Sequence, residues 1–397
     1  MSQEDYTAKL LGVEEIEVEK IEEREGRLYV TFTLKRREHR CPHCGAQTGC
    51  VHDYRTRLLR DTETAGKAVL LRYRRRRYVC PCCGKRFAEP CTFAGRYQRC
   101  THRVTMKVFQ KLSQRRSMKD IARDTGTSVS AVTRCLALLN AGKPARLPDV
   151  IALDEFKGDA GGERFQCILT APKERRILDI LPDRTTSTLQ SYLRAFPNRQ
   201  DVRYVVMDMN RGFRDIARTF FPQAKIVIDR FHVFRYCTWA MDDVRRRVQK
   251  TLQPDTRRYF KRARRLLLAH RERLHEDERL EVDRMLRFSE PLIQAYALKE
   301  AFYAFMAAKS SSEASELLKM WFDAYDRLRL PAFPPCYRAL RNWKPYILNS
   351  FDVPYSNGFT EGCNNATKVL KRVSFGLPNF NHLRARILLT AGIYPNI

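Results

Sequence analysis

The sequence has no run of about 18 apolar residues, which is the length that a membrane-spanning helix needs. Its beginning, MSQEDYTAKLLGVEEIEVEK, is acidic, the opposite of the basic start of an export signal. It also has no sustained internal repeat and no low-complexity tract. These absences exclude a membrane protein and a repeat array. We therefore expect an intracellular, cytoplasmic protein with no membrane partner.

Acidic residues are in short supply. The chain has 45 Asp and Glu against 74 Lys and Arg, which gives a formal net charge of +29. A surplus of this size favours a polyanionic partner, and for an intracellular chain that partner is nucleic acid. With 397 residues, 44% of them hydrophobic, the chain can form about two or three domains with a sizeable core.

Disulfide pairing does not fit the cysteines, because there are 13 of them in a compartment expected to be reducing. Eight of the 13 lie between Cys41 and Cys100, among them two C-x2-C pairs that are each followed by glycine. This pattern is typical of zinc knuckles, in which two tight turns present four thiolates. Cys82, His43 or His52 could replace one ligand by position. The predicted zinc ligands are Cys41, Cys44, Cys80 and Cys83.

Two β-hairpins are predicted near this metal site. Residues 1–40 alternate apolar and polar side chains on both sides of Gly26, which indicates a hairpin. The long spacer between the knuckles contains GKAVLLRYRRRRYV, which indicates extended strand. Its arginines are predicted to contact DNA phosphates, with a solvated strand face as the alternative. They are Arg72, Arg74, Arg75, Arg76 and Arg77.

The segment SMKDIARDTGTSVSAVTRCLALL has the spacing of a helix-turn-helix. Gly126 would make the turn and Ser128 would cap the second helix. An ordinary helical hairpin is the alternative. Ile121, Ala122, Val132 and Leu136 are predicted core residues, and Ser130, Thr133 and Arg134 are predicted DNA contacts.

Short apolar runs after the linker AGKPARLPDV predict strands between residues 149 and 229, with two helical stretches among them. Residues 234–328 show no strand signal and are helical and rich in arginine. Asp154 ends the predicted strand VIALD and Asp208 ends YVVMD. Carboxylates at the ends of buried strands are costly unless they are paired or bind a metal. Glu361 from a packed helix would complete a site for two Mg²⁺ ions. Structural caps or ion pairs are the alternative for any one of the three.

Two neighbours compete with these acids. Glu155 is expected on the opposite strand face from Asp154. Asp229 ends KIVID and could cap the next helix, support the site together with His232, or do both.

The helix SNGFTEGCNNATKVLKR has one polar face and one apolar face by helical spacing. The apolar face is expected to pack on the sheet. The polar face is expected to hold the DNA backbone at the metals, with an amphipathic surface helix as the alternative. The polar residues are Glu361, Asn364, Asn365, Lys368 and Arg372, and Lys371 is a further candidate DNA contact.

Over roughly residues 10–390 the chain closely resembles the ISL-three family of bacterial insertion-sequence transposases. The resemblance is carried by the two zinc knuckles, the helix-turn-helix and the motifs LDEF, MDMNRGF, IDRFHV, SNGFTEGCNNATKVLKR and FGLPNFNHLRARIL. It implies a DDE transposase with an RNase H-like domain, a metal-binding triad of Asp154, Asp208 and Glu361, and an Asp229-x-x-His232 signature.

What the resemblance implies for activity is cleavage and strand transfer at the terminal inverted repeats of an insertion sequence. The cofactors would be structural Zn²⁺ and catalytic Mg²⁺ or Mn²⁺, and the partners would be double-stranded DNA of the transposon ends and the target. A homodimer and a nucleoid-associated location follow from the same resemblance. A DNA-binding regulator that no longer cuts, and an RNase H-like nuclease or resolvase, are the alternatives.

The predicted architecture is multidomain α+β. It consists of an N-terminal β-hairpin region (1–40), a zinc ribbon (41–95), a helix-turn-helix domain (96–145), the first part of the α/β catalytic domain (146–234), an all-helical insertion (235–335), and the last part of the catalytic domain with the Glu-bearing helix (336–397).

Overall fold

The computed structural model describes residues 7–9, 11–13, 15–139, 142–262 and 264–392. The chain divides into two compact units. One comprises Met1–Ala141, Leu370–Gly376 and Ala385–Ile397, and the other comprises Gly142–Val369 and Leu377–Arg384. None of the described helices is both long enough and apolar enough to cross a membrane.

The first unit contains the two predicted hairpins in one sheet. Glu25 and Gly26 form the first turn, with φ of 52° and 70°. The sheet has the order β1-β2-β6-β5, with β7 also paired to β6, and β2 runs parallel to β6. Both hairpin predictions are confirmed. The strands of this sheet are β1 (Ile16–Arg24), β2 (Arg27–Leu34), β5 (Val51–Thr64), β6 (Lys67–Val79) and β7 (Arg86–Ala88). A separate antiparallel pair is formed by β3 (His39–Arg40) and β4 (Gln47–Thr48).

Three helices follow, and the last two form the predicted helix-turn-helix. They are α1 (His102–Leu112), α2 (Met118–Asp124) and α3 (Val129–Leu138). The Ser128 hydroxyl accepts from the Ala131 N–H at 3.2 Å, and Gly126 turns the chain with φ of 62°. The predicted core positions of both helices are buried together with residues of the C-terminal segment. These are Ile121, Ala122, Val132, Leu136, Ala385 and Leu389.

The second unit is built on a five-stranded sheet of order β10-β9-β8-β11-β12. β9 runs antiparallel to both of its neighbours, whereas β8, β11 and β12 are parallel. The apolar runs form these strands because both faces of the sheet are covered by buried clusters. The elements are β8 (Val150–Ala160), β9 (Glu163–Ala171), β10 (Arg176–Leu181), α4 (Thr186–Arg194), β11 (Tyr204–Met207), α5 (Arg211–Phe220) and β12 (Lys225–Ile228).

A run of helices follows β12. This confirms the prediction that residues 234–328 are helical. Their apolar faces join the core of the sheet in one continuous cluster. The Asn349 amide after the last of them donates to the Ile226 carbonyl at 2.8 Å, which ties the segment back to β12. The helices are α6 (Arg230–Thr251), α7 (Pro254–Arg262), α8 (Arg264–Leu268), α9 (Glu276–Leu286), α10 (Glu290–Met306), α11 (Ser311–Leu328) and α12 (Pro334–Leu348). They are followed by α13 (Gly358–Val373) and α14 (Phe380–Thr390).

Candidate active site and metal centres

Three aspartates lie side by side at the level where the parallel pairing of β8, β11 and β12 ends. Met207 of β11 is in register with Leu153 of β8 and with Ile228 of β12. The next residue on each strand is therefore an aspartate at the same level of the sheet. The expectation that Asp154 ends its strand is wrong, because β8 continues to Ala160 and pairs with β9 there. Only its pairing with β11 ends at this level.

One tight group of candidate metal ligands is formed by Asp208, Asp229 and His232, whose ligand atoms all lie within 4.8 Å of one another. His232 Nε2 is 3.0 Å from Asp208 Oδ1, and this contact is the main cause that raises the pKa of His232. Asp208 Oδ1 is buried and has no partner of hydrogen-bonding geometry among the described residues. A buried carboxylate oxygen in this state fits a role in holding a cation.

Asp154 is 8% exposed and lies close enough to Asp208 for the charge of Asp208 to affect its pKa. The Asn364 amide donates to its Oδ2 at 2.8 Å, and the backbone N–H of Glu155 donates to its Oδ1 at 2.8 Å. Burial, and next the charge of Asp208, raise the pKa of Asp154 to about 7. Like charges in a buried place favour either a proton or a divalent cation.

The helix cap predicted for Asp229 is confirmed, and its role at the site together with His232 stays a prediction. Its carboxylate caps α6 by accepting from the Phe231 N–H at 3.2 Å, and it also lies in the ligand group with His232. Burial raises the pKa of Asp229, and the charges of Asp208 and Glu361 add to that rise.

Glu361 is exposed on α13 and lies outside the tight ligand group. The chain therefore brings Asp154, Asp208, Asp229 and His232 together, with Glu361 close enough to Asp229 to influence its pKa. Glu155 forms an ion pair with Arg184 instead.

The buried face of α13 is largely polar, so the expectation of an apolar buried face is confirmed only in part, at Leu370, which is 1% exposed. Thr360 is hydrogen-bonded to Thr170 of β9 at 2.8 Å, and Asn364 bonds Asp154. Val369, from the predicted apolar face, is 43% exposed. The buried polar residues follow Asn357 at intervals of three, four and three positions, and this helical spacing could have predicted a buried polar stripe. The buried polar residues are Asn357, Thr360, Asn364 and Thr367, whereas Glu361, Asn365, Lys368 and Arg372 are exposed and Lys371 is half-buried.

The donor set suits a hard divalent cation. Carboxylate oxygens are the ligands that Mg²⁺ and Mn²⁺ prefer, and the group contains two aspartates, with the imidazole of His232 3.0 Å from Asp208 Oδ1.

The four predicted zinc ligands converge. Cys41 Sγ lies 3.6 Å from Cys83 Sγ, and Cys44 Sγ lies 3.5 Å from Cys80 Sγ. Tetrahedral zinc with Zn–S bonds of about 2.3 Å needs sulfurs about 3.8 Å apart. All four sulfurs lie within 4.8 Å of one another, so the cluster fits structural zinc.

The two knuckles have the same backbone geometry. Gly45 N–H donates to the Cys41 carbonyl and Gly84 N–H to the Cys80 carbonyl, both at 2.9 Å. Both glycines have positive φ, 77° and 66°, which a glycine adopts without strain. The alternatives Cys82, His43 and His52 are absent from the cluster found among the described residues.

The arginine run on β6 is engaged within its own sheet. Arg72 pairs with Glu22 at 3.1 Å and Arg74 with Glu19 at 2.7 Å, both acids of β1. The Nε of Arg75 donates to the Glu89 carbonyl, and Arg77 pairs with Asp53. Arg76 is 5% exposed and bonds the Leu34 carbonyl, so a DNA contact by Arg76 is wrong. The run is paired within its own sheet, and DNA contact by Arg72, Arg74, Arg75 and Arg77 stays a prediction.

The predicted contacts on α3 differ in exposure. Ser130 and Arg134 are exposed, whereas Thr133 is half-buried and its hydroxyl donates to the Val129 carbonyl at 2.9 Å. Arg134 is therefore the cation on this helix best able to reach a phosphate or a base edge.

Three family models match successive parts of the chain. A transposase model of the ISL3 type matches residues 151–387, more than half of the chain. The chain belongs to the ISL3 family of transposases. A model for the zinc finger of transposases IS204/IS1001/IS1096/IS1165 matches residues 37–83, and one for the helix-turn-helix of transposase family ISL3 matches residues 89–137. The family resemblance drawn from the motifs is thereby confirmed.

Curated relatives carry matching names. The chain is 29% identical over 347 residues to the transposase for insertion sequence element IS1001 of Bordetella parapertussis, covering 85% of this chain and 84% of the relative. It is 24% identical over 260 residues to the transposase for IS1557 in two Mycobacterium tuberculosis strains, covering 59% of this chain and 58% of each relative. This ISL3-family chain thus joins a four-cysteine cluster suited to zinc, a helix-turn-helix for DNA binding, and a transposase domain.

Proposed function

We propose that this ISL3-family chain is a metal-dependent DDE transposase that cuts the terminal inverted repeats of its insertion sequence and joins them to target DNA. The observation that carries the proposal is the acidic cluster at the ends of β11 and β12 and beside them on β8. A net charge of +29 supports DNA as the substrate.

The catalytic fold we propose is RNase H-like, with the helices between β12 and α13 as an insertion. The strand order β10-β9-β8-β11-β12, with β9 antiparallel to its neighbours, supports it. The insertion lies between the second acid and Glu361 in sequence. The domain boundaries at residues 41, 96, 146, 235 and 336 belong to the same proposal.

Asp154, Asp208 and Glu361 are the proposed ligands of catalytic Mg²⁺ or Mn²⁺, with Asp229 and His232 supporting them. When bound, such ions activate an attacking water or 3′-hydroxyl and stabilise the leaving oxygen of a phosphodiester. Asp208 and Asp154 supply adjacent carboxylates from two parallel strands. Asn364 holds Asp154 in place through its amide, and His232 does the same for Asp208 through Nε2. The role proposed for Glu361 rests on its exposure and on its proximity to Asp229, whose pKa its charge helps to raise.

DNA binding is proposed for two groups of residues. Ser130, Thr133 and Arg134 of α3 would enter a major groove and recognise the end sequence. Asn365, Lys368, Lys371 and Arg372 of α13 would contact the backbone of the strand being cut. The remaining arginines of β6 could reach DNA only by exchanging their pairs with Glu22, Glu19 and Asp53. A homodimer is part of the proposal, because two ends must be joined.

The test is a cleavage and joining assay on labelled DNA with the ends of the element, in Mg²⁺ and in Mn²⁺. Wild type is compared with Asp154→Ala, Asp208→Ala and Glu361→Ala. We expect wild type to cut and join, and all three variants to bind the ends without forming products. If wild type binds but forms no product with any divalent metal, the chain is a DNA-binding regulator. Cleavage without joining would make it a nuclease.

A further inference from the structure

One face of α6 exposes aromatic side chains next to the acidic cluster. Phe231 is 52% exposed and Trp239 is 50% exposed. Together with Arg235 they occur every four residues, so all three project from the same side of the helix. We call this set the α6 aromatic face.

The face begins at the site itself. The Phe231 ring packs edge-on against the His232 ring, with centroids 5.6 Å apart, and His232 is 3.0 Å from Asp208. The Phe231 N–H also donates to Asp229, so the same helix cap positions a candidate ligand and an exposed ring. A strand that reaches the acidic cluster and follows α6 would therefore meet Phe231 first.

The far end of the face is an aromatic ring paired with a cation. The Arg235 guanidinium lies 4.5 Å from the centroid of the Trp239 ring. Trp239 is eight residues beyond Phe231, which is about 12 Å along a helix axis. At about 3.4 Å per stacked nucleotide, that distance corresponds to three or four nucleotides.

The charges around the face favour nucleic acid as its occupant. Arg246 and Lys250 continue the same side of α6, Arg246 being exposed. The two acids of this stretch, Asp242 and Asp243, are both engaged by arginines of the helix. Aromatic rings interleaved with cations form a surface on which unpaired bases stack while the phosphates lie among the positive charges.

We infer that the α6 aromatic face binds unpaired bases of the DNA strand at the cleavage site, with one base stacked on Phe231 and another on Trp239, about three or four nucleotides further from the reacting phosphate. This inference rests on the proposed function, since it assigns a strand to the same site. It adds a requirement that the acidic cluster does not impose, because the duplex must open locally to expose a base. A single exposed apolar side chain is ordinary on a protein surface, whereas two aligned aromatic rings on the helix that starts at the acidic cluster indicate a binding surface.

The test is photocrosslinking with end DNA that carries 5-iodouracil at each of the first six positions on either side of the cleaved phosphate. The full-length protein is irradiated without divalent metal, so that the strand stays uncut, and crosslinked residues are located by mass spectrometry. We expect crosslinks to Trp239 from one position and to Phe231 from a position nearer the phosphate. Trp239→Ala should lose the first crosslink, and Trp239→Phe should retain it.

Affinity for the same DNA gives the second measurement. Stacking on one aromatic side chain is worth a factor of about 5 to about 150 in binding. We expect Trp239→Ala to lose a factor in this range and Trp239→Phe to recover most of it. Phe288→Ala is the matched control, because Phe288 is also 50% exposed and also packs edge-on against one aromatic ring. It should bind like wild type.

The outcomes separate the two proposals. If wild type binds and cuts the ends but no base crosslinks to Trp239 or Phe231, the inference is overturned and the transposase proposal stands. If Trp239→Ala alters only self-association and leaves DNA affinity unchanged, the face serves a second copy of the chain and the inference is again overturned. If wild type neither cuts nor binds the ends, the proposed function fails and the inference falls with it.

Discussion

The side-chain amide of Asn364 donates a 2.8 Å hydrogen bond to Asp154, although the two residues are 210 positions apart in the sequence. This bond links α13 to the central strand β8. It holds one carboxylate of the candidate site in a fixed orientation from a helix whose exposed side carries Glu361. Mutation of a residue that orients a metal ligand typically lowers metal affinity or activity by about 10- to 100-fold.

Replacing Asn364 with alanine should therefore impair catalysis more than binding. We expect DNA cleavage to fall by about 10- to 100-fold, because Asp154 loses the donor that orients it. We also expect a loss of about 1–3 kcal/mol in the free energy of unfolding, since a buried hydrogen bond to a carboxylate is removed. Cleavage rates and urea unfolding measure the two effects. Asn365→Ala is the control, because Asn365 is the exposed neighbour; equal losses in both variants would contradict the orienting role.

The pH dependence of stability should reveal the buried Asp154. Its pKa is raised to about 7, mainly by burial, whereas an unfolded aspartate titrates near the ordinary value of 3.8. Between these values the folded chain keeps a proton that the unfolded chain has lost. The free energy of unfolding should therefore fall as pH rises from about 4 to about 7, by on the order of 4 kcal/mol.

Asp154→Asn isolates this effect from the other titrating groups. The comparison is urea unfolding of wild type and variant in magnesium-free buffer between about pH 5.5 and about pH 8, a window that spans the raised pKa. The variant should lack this part of the slope and should be the more stable protein at the upper end of the window. Parallel curves would show that Asp154 is already ionised at the lower pH.

His232→Ala should weaken divalent metal binding. The imidazole lies 3.0 Å from Asp208 and belongs to the tight ligand group, so its loss removes either a ligand or the group that orients one. We expect affinity for Mn²⁺ to drop by about 10- to 100-fold in calorimetry. His270→Ala is the matched control, because His270 also contacts acids but lies in the helical segment, 3.6 Å from Glu300. Unchanged Mn²⁺ affinity in His232→Ala would exclude both roles.

One zinc ion per chain should depend on the four converging sulfurs. Cys80→Ser should lose the metal and the ordered β5–β6 hairpin, because structural zinc contributes folding free energy directly. Cys82→Ser should keep both, since Cys82 is absent from the sulfur cluster that the described residues form. Atomic absorption measures the zinc, and hydrogen exchange of the hairpin amides measures the order. Zinc loss from Cys82→Ser would mean that the ligand set is different in solution.

Arg134→Ala should weaken binding to the end DNA and change its salt dependence. A lost phosphate contact lowers the slope of log affinity against log salt by about one, whereas a lost base contact relaxes sequence preference by about 1–3 kcal/mol. Fluorescence anisotropy from low to moderate salt distinguishes the two. Arg123→Ala is the control, because Arg123 lies on α2 and pairs with Asp120 at 2.7 Å. Equal effects of both variants would mean that general charge, and not α3, governs binding.

Local patterns in the sequence were sufficient to predict the zinc ligands and the helix-turn-helix. Two C-x2-C-G turns form by short-range hydrogen bonds, and Ser128 and Gly126 act within one turn of the chain. The three aspartates were found for a similar reason, since each directly follows an apolar run that forms part of a strand. These features depend on residues that are close together in sequence.

Sheet order and packing decided which residues from distant parts of the sequence come into contact. The tight ligand group is Asp208, Asp229 and His232, because β11 and β12 are neighbours and α6 starts where β12 ends. Asn364 turned out to face Asp154, and Arg72 and Arg74 of β6 turned out to be paired with acids of β1, across β2. The sequence by itself determined which residue types could do chemistry and which local turns carry them. Only the tertiary structure decided which of them meet, because contacts between distant segments depend on strand order and on which helix face is buried.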